Sequence, residues 1–105
     1  MAAKEVTAAL TAENTYTDWI EPKVPSHIED GHVHFLNISI SGTWVGVVTL
    51  QRRFGSSDTA RDVTDGNWTS NAEQALYDHE EGVDYRIGIK TGNYTSGTCN
   101  VRLGA

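Results

Sequence analysis

Residues 34–54 read HFLNISISGTWVGVVTLQRRF, and their spacing decides between helix and strand. His34, Leu36, Ile38 and Ile40 fall on one side of an extended chain, with Phe35, Asn37 and Ser39 on the other. That period of two is the signature of a strand with one buried face. Ser41-Gly42-Thr43 carries turn formers, after which Val48, Leu50 and Phe54 alternate with Val47, Thr49 and Arg53. The spacing predicts two strands joined as a hairpin.

The same period recurs outward from this stretch. Val83, Tyr85, Ile87 and Ile89 share one side, with Asp84, Arg86, Gly88 and Lys90 opposite, which is the clearest half-buried strand in the chain. Residues 90–98, KTGNYTSGT, then offer turn conformations at Gly92-Asn93 and Ser96-Gly97, and residues 98–103 return as another strand, predicting a second hairpin. GSSDTARDVTDGNWTSNAE (55–73) is rich in turn formers, including Asp65-Gly66-Asn67, and reads as loop-rich and exposed. Residues 72–80, AEQALYDHE, are too few for a stable helix and are read as a strand. EVTAAL and NTYTDWIEP form two more strands joined by TAEN. Pro22 and Pro25 lack a ladder donor, so residues 1–30 are expected to be an N-terminal arm or edge strands beside a core of residues 31–105, one domain overall. The expected fold is all-β, an antiparallel β-sandwich of immunoglobulin-like or jelly-roll type with an N-terminal arm.

Composition narrows the function. At 105 residues the chain holds one core but no large two-lobed cleft. A net charge of -6, with eight scattered Lys and Arg, leaves no basic patch for a phosphate backbone, so no nucleic-acid partner is expected. Apolar runs are far shorter than a helical membrane span, and no membrane partner is expected. MAAKEVTAAL has no apolar signal core, so secretion by that route is not expected, and the Asn-x-Ser/Thr triplets at Asn37, Asn67 and Asn93 read as chance. Cys99 is the single cysteine, which excludes an intrachain disulfide and a cysteine-based zinc site. Beside Val101 and Leu103 on one strand face, it reads as a buried, inert thiol.

Several constellations bear on chemistry. Lys90-Thr91-Gly92 after a strand matches part of the serine β-lactamase signature, but no serine has Lys three positions later and Ser57-Asp58-Thr59 is the nearest match to the remaining motif. The turn reading prevails. His32 and His34 project to one side of a strand near His27, Glu29 and Asp30, ligand types suited to zinc. The competing reading makes His34 a face neighbour of Leu36 and Ile38, and it is preferred. Asp78, Glu80, Glu81 and Asp84 contain carboxylate pairs of the kind glycosidases use, yet adjacent acids near a turn more often form a solvated face. Trp19, Trp44, Trp68, Tyr77 and Tyr94 offer sugar-stacking rings, weighed against ordinary roles in a sandwich core. No catalytic residue, cofactor or metal is assigned, and no enzymatic activity is expected.

Three strings carry a resemblance: SISGTWVGVVTLQRRF (39–54), ARDV (60–63) and GVDYRIGIKTGNYTSGTCNVRL (82–103). In this order and spacing they resemble small β-sandwich virion proteins of tailed bacteriophages, of the capsid decoration or cement type. The resemblance covers residues 33–103. It implies a structural protein made in the host cytoplasm and placed on the capsid surface of the virion. Its partners would be the major capsid protein and further copies of itself, with a trimer as the suggested state. The alternative is a tail, receptor-binding or carbohydrate-binding module presenting Trp68 and residues 55–71. Where the resembling pattern has Trp before Asp-Val, this chain has Ala60-Arg61, and Trp68 is the candidate replacement ring. Trp19, Ile20, Val24 and Ile28, read as exposed apolar residues of the arm, together with Trp68 form the expected interface. Residues 1–25 should then be removable without unfolding the sandwich.

Overall fold

The computed structural model describes residues 5–21, 34–78 and 83–104. Alternating side chains build eight strands: β1 (Glu5–Leu10), β2 (Thr15–Tyr16), β3 (His34–Gly46), β4 (Val48–Arg53), β5 (Arg61–Trp68), β6 (Ala72–Asp78), β7 (Asp84–Ile89) and β8 (Tyr94–Gly104). Residues 72–78 are a strand, as their length requires, and no helix occurs among the described residues. Val24, Ile28, His27, His32 and Glu80, to which sequence analysis gave weight, lie outside the described residues.

Two antiparallel four-stranded sheets face each other, one in the order β1-β8-β3-β6 and the other β2-β7-β4-β5. Folding the chain in half between β4 and β5 reproduces four of the six strand pairings, β4 with β5, β3 with β6, β2 with β7 and β1 with β8, and the pairings of β8 with β3 and of β7 with β4 join them into the two sheets. This is jelly-roll connectivity. It excludes the immunoglobulin-like option, whose first two strands share a sheet; here β1 and β2 lie in opposite sheets.

Both expected hairpins are corrected by this topology. β3 and β4 are separated by Val47 alone, yet they belong to different sheets, as do β7 and β8. Alternation identifies a strand without naming its partner. Gly42 is no turn: with φ at 103° it sits inside β3, directly opposite Cys99 of β8. A Cβ there would lie 2.5 Å from the Thr98 carbonyl oxygen, so glycine admits the close approach. The chain crosses between sheets at Gly46–Val47 and again at Lys90–Asn93, and the crossings are tied by the Val47 N–H donating to the Asn93 carbonyl at 2.9 Å. Lys90-Thr91-Gly92 is a turn, closed by the Asn93 N–H donating to the Lys90 carbonyl at 3.0 Å. Ser96 and Gly97 belong to β8.

The stretch read as loop-rich contains a strand. β4 and β5 are the neighbours that pair directly, and Asp65-Gly66-Asn67 lies within β5. Thr49 pairs with Asn67 and Gln51 with Asp62, so residues 63–66 stand opposite Leu50 and bulge. Asp65 takes the left-handed conformation, φ 62°, that its short polar side chain tolerates.

The core between the sheets gathers Leu36, Ile38 and Ile40 of β3, Val48 and Leu50 of β4, Ile87 and Ile89 of β7, and Cys99, Val101 and Leu103 of β8. Leu10 and Ile20, at 1% and 5% exposure, complete it together with Val83 and Tyr85. Ile20 is therefore a core residue and is corrected as an exposed interface residue. Its amide and carbonyl both bond Tyr85, at 2.8 Å each. Burying a side chain of this size contributes roughly 1.5–3 kcal/mol. Residues 5–20 supply two edge strands and two core side chains, Leu10 and Ile20, so removing residues 1–25 would take part of the sandwich with it.

Candidate functional site

The outer faces of the two sheets differ in chemistry. On the β2-β7-β4-β5 sheet, register places Asn67, Thr49, Gly88 and Tyr16 in one cross-strand row, Asp62, Gln51 and Arg86 in a second, and Arg53 with Asp84 in a third. Outward polar residues are what a half-exposed strand demands. These rows, however, are closed over by their own contacts.

Lys90 Nζ lies 2.6 Å from Asp62 Oδ2, and Asp62 Oδ1 accepts from Gln51 Nε2 at 2.9 Å. Gln51 Oε1 accepts in turn from Arg86 Nε at 2.9 Å. The Arg86 guanidinium then lies 3.9 Å over the Tyr16 ring and 4.7 Å over Trp19. Arg53 approaches Trp19 at 4.3 Å and donates to Asp84 at 2.9 Å. The hydrogen bonds from Lys90 and then Gln51 hold the Asp62 carboxyl below its ordinary pKa, and Asp62 raises that of Lys90. Burial lowers that of Arg86. Trp19 is half-buried under two guanidiniums, so this expected interface residue works first as an internal clasp.

Gly88 makes the clasp feasible. Tyr16 crosses directly above it, and a Cβ at Gly88 would stand 2.5 Å from Tyr16 Cδ1 and 2.1 Å from the Thr15 carbonyl oxygen. The ring covers the glycine, which is the aromatic rescue seen when a bulky cross-strand partner shields a bare backbone.

At the rim, Phe54 is 45% exposed between the Arg52 and Arg61 guanidiniums, 5.2 and 5.5 Å from its centroid. Asp58 accepts the Phe54 N–H at 2.9 Å and faces Arg61 at 3.2 Å; these two contacts, the backbone bond foremost, pull its carboxyl down to about 2. Trp68 stands at the opposite end of β5 from Arg61, so it does not replace the ring missing at Ala60-Arg61. It packs against the core and its indole N–H donates to Gln74 at 3.1 Å. Trp44 likewise packs on the core and donates to Asn71 at 2.8 Å.

The face of the β1-β8-β3-β6 sheet is of another kind. Thr7, Ala9, Ser41 and Asn100 are exposed, Ser39 partly so, and together with Arg102 they line an open groove of about 320 Å³. Glu5 pairs with Arg102, and Ser39 donates to Glu73 at 2.6 Å. Short side chains let another backbone come close here. Sequence reading missed this surface because alternating Ser, Thr and Ala register only as the solvent side of a strand.

Of the histidine and acid set suited to zinc only His34, and of the acidic run only Asp78 and Asp84, lie among the described residues. No group of three His, Cys, Asp or Glu is placed to share a metal ion there. Asp84, one of the acidic run, is paired with Arg53. Cys99 is fully buried, and burial pushes its thiol up to about 11. No protein-family model, curated protein or solved structure matches this chain.

Proposed function

We propose that the chain is a structural protein of a tailed-bacteriophage virion, binding the outside of the head shell as a decoration protein. The sequence resemblance suggests the class, and the exposed outer face of the β1-β8-β3-β6 sheet is the observation that supports it best. That face is left open, with a groove lined by Ser39, Ser41 and Asn100 whose short side chains leave room for the backbone of a second protein. The opposite face ties its Arg, Trp and Tyr side chains into an internal lattice, giving a stiff body of 45 × 28 × 22 Å. A rigid body that adds buried interface between neighbouring shell subunits stabilises the assembled shell by mass action. Jelly rolls serve many functions, so the fold itself is only an analogy.

Heads prepared without this protein provide the test. The wild-type chain should co-sediment with them saturably, Ser41→Arg should lose most of that binding, and Trp68→Phe should retain it. Failure of the wild-type chain to bind would overturn the reading; equal binding by Ser41→Arg would overturn the choice of face.

A further inference from the structure

Of the four outer strands, β1 alone presents an edge that is long, regular and electrically neutral. The edges of the other sheet are blunted: β2 has two residues, and β5 is interrupted by the bulge at 63–66. Short and bulged edges resist pairing with another chain. β6 is regular over seven residues but carries Glu73 on its outer face in a chain of net charge -6. β1 runs six residues in unbroken register with β8, contains no Pro or Lys, and holds Thr7, Ala8 and Ala9 at its centre. Its one charge, Glu5, is paired with Arg102. Among the described residues no strand lies against its free edge.

We infer that β1 pairs antiparallel with β1 of a second copy of this chain, about a two-fold axis through Ala8. A strand edge is a row of backbone donors and acceptors, and a two-fold axis makes the same row complementary to itself. The axis must keep Val6, Ala8 and Leu10 on the core side in both copies, because a one-residue slip would turn them to solvent. Centred on Ala8, Thr7 faces Ala9 of the other copy and Ala8 faces Ala8. Glu5 stays outside the overlap with Arg102, so no acid meets an acid despite the net charge. The result is one eight-stranded sheet whose outer faces are continuous. This extends the proposed docking face but does not depend on it, since the test uses the purified chain alone.

Sedimentation of the full chain across a dilution series should give about twice the 11.5 kDa chain mass, falling to one chain on dilution. In Thr7→Glu/Ala9→Glu, carboxylates oppose one another twice across the axis, and this variant should sediment as one chain with an unchanged circular dichroism spectrum. In Thr7→Glu/Ala9→Lys, the same positions carry opposite charges, and the dimer should return. A wild-type chain that stays single at every concentration, or that sediments as a trimer, would overturn the proposal. So would a doubly acidic variant that remains dimeric, or failure of the Glu/Lys variant to regain mass.

Discussion

Arg53 lies 4.3 Å over the ring of Trp19 while its Nε donates to Asp84, so one side chain joins β4 and β7 to the segment that follows β2. The clasp predicts that Trp19→Ala lowers stability by about 1–3 kcal/mol, combining lost ring burial with two lost cation–ring contacts. Urea unfolding measures it. An unchanged midpoint would show that Trp19 is idle in the isolated fold.

Gly88 predicts a sharper effect. A Cβ there meets the Thr15 carbonyl oxygen and the Tyr16 ring well inside contact distance, and overpacking of this kind costs roughly 1–3 kcal/mol or more. Gly88→Ala should therefore detach β2 from β7 and speed hydrogen exchange at Thr17, whose N–H donates to the Ile87 carbonyl, and at Ile87, whose N–H donates to the Thr17 hydroxyl. Exchange as slow as in the wild type would refute the close crossing.

The Lys90–Asp62 pair sets a pH window. Asp62 is depressed in the fold, so its contribution is present above the ordinary carboxyl value of 3.8 and is lost as pH falls through the lower folded value. Lys90 is raised, so its share is present below its ordinary 10.5 and is lost as pH rises through the higher folded value. Asp62→Asn should cost up to about 1 kcal/mol between those limits, because the pair is half exposed. Below the acid limit the variant and wild type should converge. A difference that persists there would assign the effect to packing.

Cys99 is predicted to be silent. Full burial and a raised pKa leave almost no accessible thiolate, so a chromogenic thiol reagent should react at the rate of unfolding. Rapid stoichiometric labelling of the native protein would contradict its buried placement in β8, between β1 and β3.

Alternation in HFLNISI and VDYRIGI made the strands and their core sides legible, because burial on one face imposes the pattern directly. Sheet partnership was not legible, since Gly42, Gly46 and Gly92 look alike in sequence while serving as an in-strand close approach, a sheet crossing and a turn. Asp65-Gly66 misled for the same reason: a left-handed residue builds a bulge as readily as a turn. Among the interface residues, Ile20 and Trp19 read as exposed because neighbouring prolines and acids suggest an arm, whereas β7 supplies partners for both that lie far along the chain. The groove beside Thr7, Ser41 and Asn100 is made by juxtaposing three strands, which no local pattern announces.

The central claim, a place on the head shell, is tested most directly by a density map of virions that carry this chain. The account predicts a sandwich of 45 × 28 × 22 Å on the outer surface of the shell, with the face bearing Ser41 and Asn100 toward the capsid protein. Density for the chain confined to the portal or tail would contradict the account.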